Sequence, residues 1–157
     1  MAEIPVAGDK APLFSLKNKD GKAFSLKEFA GKWVALYFYP KDDTPGCTQE
    51  AKDFTALLPE FRKNNAAVLG ISPDSEKSHA GFIDKHGLAV ELLSDPDHKV
   101  LESYGVWQKK MNYGKEYMGV ARTTFLIDPE GVIRQVWEKV KVDDHAEDVK
   151  ATLCKLR

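Results

Sequence analysis

A chain of 157 residues, 43% hydrophobic and 30% charged, fits one soluble globular domain and is long enough to bury a core without disulfide or metal staples. Lysine plus arginine number 23 against 24 aspartates plus glutamates, so no global charge favours nucleic acid or an anionic membrane as partner. No apolar run approaches the ~20 residues that cross a bilayer, Met1-Ala2-Glu3-Ile4-Pro5 lacks a basic segment followed by an apolar one, and the two cysteines lie far apart, so a reducing, cytoplasmic location is expected.

Taken in order, residues 11–16 and 22–24 flank Asn18-Lys19-Asp20-Gly21, whose Asp-Gly pair predicts an N-terminal β-hairpin. Ser25 with Glu28 three positions on reads as a capping box for one helical turn, which Gly31 ends. Trp33-Val34-Ala35-Leu36-Tyr37-Phe38-Tyr39 is apolar throughout and predicts a buried strand. Ala51, Phe54, Leu57, Leu58 and Phe61 recur at helical spacing up to about Asn64, and 66–72 is a second buried strand, so the pair is parallel with a right-handed crossover. A second helix opens at Asp74-Ser75-Glu76-Lys77 and stops near Gly87. Residues 92–94 form a short strand, and Asp95-Pro96-Asp97 starts a third helix. The stretch 105–119, with Lys109, Lys110, Asn112, Gly114 and Lys115, reads as an exposed loop. Strands over 123–127 and 132–137 are joined by Asp128-Pro129-Glu130-Gly131, and a last helix from Asp144 buries Ala146, Val149, Leu153 and Leu156. The alternation predicts an α/β protein: a three-layer α/β/α sandwich with a mixed central sheet, the thioredoxin-like plan with an N-terminal β-hairpin extension.

Between the first buried strand and its helix lies Pro40-Lys41-Asp42-Asp43-Thr44-Pro45-Gly46-Cys47-Thr48-Gln49-Glu50. Thr44 suits the N-cap and Pro45 the first helical position, which puts Cys47 in the first turn beside unpaired backbone N–H groups. Those groups and the helix dipole favour an anion, and the thiolate is the useful nucleophile. The plainer reading of Cys47 is a small, inert core residue.

Pro40, Thr44 and Cys47, in the order Pro-x-x-x-Thr-x-x-Cys, resemble the active-site signature of peroxiredoxins. Tyr39 through Thr48 is similar to the PrxQ, or bacterioferritin comigratory protein, branch. Gly8-Asp9-Lys10-Ala11-Pro12, Gly70-Ile71-Ser72-Pro73-Asp74, Leu93-Ser94-Asp95-Pro96, Tyr104-Gly105-Val106-Trp107 and Arg122-Thr123-Thr124-Phe125 resemble it in the same order, over nearly the whole chain. The resemblance implies a single peroxiredoxin (AhpC/TSA-type) domain over 1–157. It also implies a thiol peroxidase that reduces hydrogen peroxide and organic hydroperoxides through a sulfenic acid on Cys47. Arg122 would serve thiolate and peroxide, and Thr44 would offer its hydroxyl. Pro40 would shield the site, and Glu50 would hold the guanidinium. Taken singly, Arg122 is a solvated charge, Glu50 complements a helix dipole and Pro40 forms a turn. No cofactor and no metal are implied. The partners are a peroxide and an external thiol (thioredoxin, glutaredoxin or glutathione), and the chain is a monomer or weak dimer.

One departure bears on mechanism. PrxQ proteins often carry a resolving cysteine five positions after the peroxidatic one or in the next helix; here the first position is Lys52, and 75–86 holds no cysteine. Cys154 lies roughly 120° from the buried stripe of the last helix and is expected to be exposed. It reads as an inert thiol, an intermolecular partner, or a resolving cysteine reached after unfolding. The expectation is a one-cysteine enzyme regenerated by an external thiol, with a peroxide-sensing relay to a protein partner and a two-cysteine enzyme using Cys154 as the alternatives. A disulfide reductase would want Cys-x-x-Cys, and position 50 is Glu. A purely structural adaptor would leave Cys47 unreactive. His79, His86, His98 and His145 show no zinc-like spacing and read as surface residues, no Gly-rich phosphate loop is evident, and Trp107 reads as packing beside the site.

Overall fold

The computed structural model describes residues 3–157; Met1 and Ala2, which open the stretch read for a leader, lie outside the described residues. Strand β3 (Trp33–Phe38) is the axis of the fold, buried at all six positions. It pairs in parallel with β4 (Ala66–Ser72) across helix α1 (Pro45–Lys63), and β4 pairs in parallel with β5 (Glu91–Ser94) across helix α2 (Glu76–His86). On the other side β3 pairs antiparallel with β8 (Thr123–Ile127), which pairs antiparallel with β9 (Ile133–Trp137). The hairpin of β1 (Ser15–Lys17) and β2 (Ala23–Ser25) adds to the edge beside β5, giving the mixed order β2-β1-β5-β4-β3-β8-β9.

Because successive strand residues face opposite sides, β3 feeds two cores. Trp33, Ala35, Tyr37 and Tyr39 pack with Phe54 and Phe61 of α1, Phe82 of α2, and Ala146, Val149 and Leu153 of helix α4 (His145–Leu156). Val34, Leu36 and Phe38 pack with Leu26 and with Val100 and Leu101 of helix α3 (Lys99–Ser103), backed by Tyr104. Gly70 is required where β4 passes Tyr37: a Cβ there would sit 2.7 Å from Tyr37 Cζ and 2.8 Å from Leu92 Cδ2.

Three expectations need correction. The stretch 105–119 is no loop: β6 (Trp107–Asn112) and β7 (Lys115–Val120) form a separate hairpin turned by Tyr113 and Gly114. Both turn residues have positive φ, 53° and 78°, the geometry of a two-residue hairpin turn. Its strands are mostly exposed, and Lys109 and Glu116 interrupt the face that carries Trp107, Met111, Met118 and Val120, so the hydrophobic alternation that would reveal them is broken. The third helix starts at Lys99, not Asp95. Asp95 instead accepts from Leu101 N at 2.8 Å, and His98 before the helix has φ 64°. His79 and His145 are not surface residues; they are 0% and 6% exposed, each at a helix position facing the sheet. Trp107 stacks on His98, ring centroids 3.9 Å apart.

Helix α4 runs alongside α1 in the same direction. His145 at its start meets Phe54, and Arg157 beyond its end donates to Asn64 Oδ1 at 2.6 Å. Cys154 is exposed, as its place off the buried stripe predicts, and lies level with the C-terminal end of α1. At 1.5 Å per helical residue it is about 20 Å from the turn that carries Cys47.

His145 yields a pH prediction. Burial, aided by the charge of Arg122, pushes its pKa down to about 4 from 6.5, with Asp148 opposing. Its Nε2 lies 2.8 Å from Thr124 Oγ1. Between pH 4 and 6.5 the unfolded chain binds a proton that the folded chain refuses, so this contribution is complete above about pH 6.5 and is lost as pH falls through about 4. Urea unfolding of wild type and His145→Gln should therefore show a steeper acid-side loss of stability in wild type, and parallel curves would contradict it.

Candidate active site

The site lies where β3 ends and α1 begins. Thr44 occupies the N-cap with extended backbone (φ −92°, ψ 155°), and Pro45 takes the first helical position. Cys47 is therefore the third residue of the helix, as its spacing predicts. The Thr44 hydroxyl does not cap, however; it donates to the Lys41 carbonyl at 2.8 Å. The first helical bond runs from Thr48 N–H to the Thr44 carbonyl at 2.8 Å. Pro40 is half-buried at the loop entrance, and the Cys47 side chain is buried.

Arg122 reaches this turn from the other side of β3. The antiparallel register pairs Phe38 with Thr123, so Arg122 precedes β8 at the level where the loop leaves β3. Its Nη2 donates to Cys47 Sγ at 3.3 Å, and its Nη1 to Glu50 Oε1 at 2.6 Å. Glu50 sits one turn beyond Cys47, which places both acceptors on one helix face. A Cβ on Gly46 would lie 3.2 Å from Arg122 Nη2, so glycine there lets the guanidinium come close. Burial works against the Arg122 charge, and Glu50 and the Cys47 sulfur more than offset it, raising its pKa.

Glu50 is 1% exposed, and its second oxygen, Oε2, has no protein partner. Burial pushes its pKa up to about 7, with Arg122 opposing the rise. Tyr37, stacked on Phe54 with ring centroids 4.8 Å apart, also carries a buried hydroxyl with no protein partner. Its ionisation is pushed well above the ordinary tyrosine range, by burial first and then by the charges of Glu50 and Cys47.

The structure thus brings Cys47, Arg122, Glu50 and Thr44 to one turn and leaves Cys154 remote. Sequence reasoning missed Lys110. Its stem crosses β7 at Gly119, where a Cβ would lie 3.2 Å from Lys110 Cδ. Burial and the charge of Arg122 lower its pKa while Cys47 opposes, so its ammonium feels the site. No signal could have found it while 105–119 read as a loop. Asp42 was missed too: it is buried, with Tyr39 donating to it at 2.6 Å.

The raised Glu50 carboxyl makes a testable prediction. The folded chain holds its proton up to about pH 7, whereas the unfolded chain releases it near 4.5, so stability falls as pH rises between those values. The loss is on the order of 3 kcal/mol. Glu50→Gln should flatten this slope relative to wild type in urea midpoints taken from pH 4 to 8, whatever its pH-independent offset; an unchanged slope would refute the assignment.

Comparison with known proteins places the chain. Residues 7–136 match the AhpC/TSA family. Peroxiredoxin Bcp of Bacillus subtilis is 49% identical over 146 residues, 93% of this chain and 93% of that protein. A solved structure of the Xanthomonas campestris bacterioferritin comigratory protein, whose description concerns alkyl peroxide reduction activity, superposes with TM-score 0.88 at 44% identity, covering 99% of this chain and 98% of that one. A Cys-to-Ser mutant of Xylella fastidiosa PrxQ superposes with TM-score 0.92 at 36% identity over 99% of this chain and 98% of that one. The three-layer architecture is accordingly the thioredoxin-like fold of these neighbours, and the chain belongs to the AhpC/TSA family, in its PrxQ (Bcp) branch of peroxiredoxins, which are thiol peroxidases.

Proposed function

We propose that Cys47 is the peroxidatic cysteine of a one-cysteine peroxidase acting on hydrogen peroxide and organic hydroperoxides. The observation that carries this reading is the Arg122 fork, with one nitrogen 3.3 Å from Cys47 Sγ and the other 2.6 Å from Glu50 Oε1. The thiolate sulfur attacks the terminal peroxide oxygen; an S–O bond forms, the O–O bond breaks, and the departing alkoxide or hydroxide takes a proton to leave as alcohol or water. The charge that develops on the peroxide oxygens is met by the guanidinium. The Thr44 hydroxyl, now given to the Lys41 carbonyl, turns to the substrate, and Pro40 keeps bulk water from the loop. Glu50 fixes the orientation of Arg122.

The product is a sulfenic acid, which condenses with an external thiol to a mixed disulfide plus water; a second thiol then releases Cys47. Cys154 is a poor internal resolver. It is exposed beside Lys150, which pairs with Glu147, and about 20 Å separates it from the Cys47 turn along α1. The reductant is a thioredoxin, glutaredoxin or glutathione, as befits free thiols in the cytoplasm, and the working form is a monomer or weak dimer.

Steady-state peroxide consumption with thioredoxin, and separately with glutathione plus glutaredoxin, tests the reading. Cys47→Ser should abolish turnover, and Cys154→Ser should retain it. Arg122→Gln should lose about a hundredfold or more in the peroxide step. A Cys47–Cys154 bond formed in high yield by one equivalent of peroxide, with turnover lost in Cys154→Ser, would overturn the one-cysteine mechanism.

A further inference from the structure

His79 of α2 is fully buried, and both of its ring nitrogens face hydrogen-bond acceptors. Nδ1 lies 2.7 Å from Asp42 Oδ2, and Nε2 lies 3.1 Å from the Leu93 carbonyl oxygen. A neutral imidazole has one N–H, so a neutral ring would set a nitrogen lone pair against an oxygen lone pair in the interior.

The other partners of Asp42 bear on where the proton between it and His79 lies. Asp42 already accepts two hydroxyl bonds, from Tyr39 at Oδ1 (2.6 Å) and from Ser78 at Oδ2 (2.8 Å), which is the company an ionised carboxylate keeps. Tyr39 gives its only hydroxyl proton to Asp42, which leaves its oxygen, 3.4 Å from Nδ1, as another lone pair facing a ring N–H. Asp74 completes the group. Its Oδ2 is committed to the Asp42 backbone N–H and the Ser72 hydroxyl, each at 2.8 Å, rather than to the ring.

Asp42 belongs to the loop between β3 and α1, five residues before Cys47. Its neighbour Asp43, with φ 61°, reaches the end of α2 at Lys85 Nζ and His86 Nε2, each 2.7 Å away. The loop is thus gripped by α2 through adjacent carboxylates, one buried and one exposed. Beside the Ser78 hydroxyl, the buried grip uses both ring nitrogens, one toward the loop and one toward β5. A ring with a single N–H drops one of the two and lets the loop shift against the sheet.

We propose that His79 is held as an imidazolium and that the Asp42–His79 pair is a positioning device for the peroxide step, fixing the loop so that Cys47 stays aligned with Arg122. This rests on the reading of Cys47 as the reacting thiol.

Two measurements test it. Long-range proton–nitrogen correlation spectra of wild type at neutral pH should show His79 with both ring nitrogens protonated, a signature that a merely packed histidine would not give. A bare nitrogen at His79 overturns the proposal. In rapid-mixing oxidation by hydrogen peroxide, Asp42→Asn and His79→Gln should each slow the Cys47 step about tenfold or more, because a small misplacement of a reacting group is costly. Since the two residues act as one unit, the double variant should be no slower than the worse single one. Ser78→Ala, which removes one donor to Asp42 and leaves the pair intact, should fold and show a smaller slowing in the same direction. Wild-type rate constants in all these variants, beside a reactive wild type, overturn the positioning role. A wild type that ignores peroxide while showing the doubly protonated ring sinks the Cys47 reading instead.

Discussion

A guanidinium largely withdrawn from water between a carboxyl group and a sulfur is the constraint on which this structure turns. Arg122 would be costly in this place without Glu50, because an unpaired and largely buried charge costs several kcal/mol. The 2.6 Å bond between them meets that cost and fixes the fork, which leaves the second nitrogen directed at Cys47. The two partners are 72 residues apart, and only the β3–β8 register brings them together. Since that register also decides which residues of β3 enter each core, sheet packing and site geometry are set by the same pairing.

A second anchor works from the opposite side. The loop after β3 gives Asp42 and Asp43 to α2, while the turn that follows gives Cys47 and Glu50 to Arg122. The first turn of α1 therefore hangs between two polar attachments, one on α2 and one beside β8. The interior here is unusually rich in hydrogen-bonding groups for a core otherwise built of Phe54, Phe61, Phe82 and Leu92. Buried polar groups of this kind act cooperatively and specify one arrangement of a loop that has little apolar contact of its own.

Much of this was legible in the sequence, for reasons that can be named. An unbroken apolar run is an adequate signal for β3, and Thr-Pro followed two residues later by Cys set the thiol in the first helical turn. Glu50 follows from helical geometry once Cys47 is placed. Arg122 does not: an antiparallel register between strands 85 residues apart leaves no local trace, and only resemblance to a family pointed to it. The β6–β7 hairpin escaped because Lys109 and Glu116 interrupt its one apolar face and its turn carries Tyr113 where Asn or Asp is usual. His79 and His145 were misplaced because a histidine's burial depends on partners such as Asp42, the Leu93 carbonyl and Thr124, which arrive from other elements.

The parallel course of α1 and α4 has a practical corollary for the chain as a reagent. Cys154 sits on an exposed surface at the end of α1 remote from the Cys47 turn. A disulfide joining two copies through it would couple them by the ends of α1 remote from Cys47. A probe attached at Cys154 would sit at the far end of α1 from the Cys47 turn.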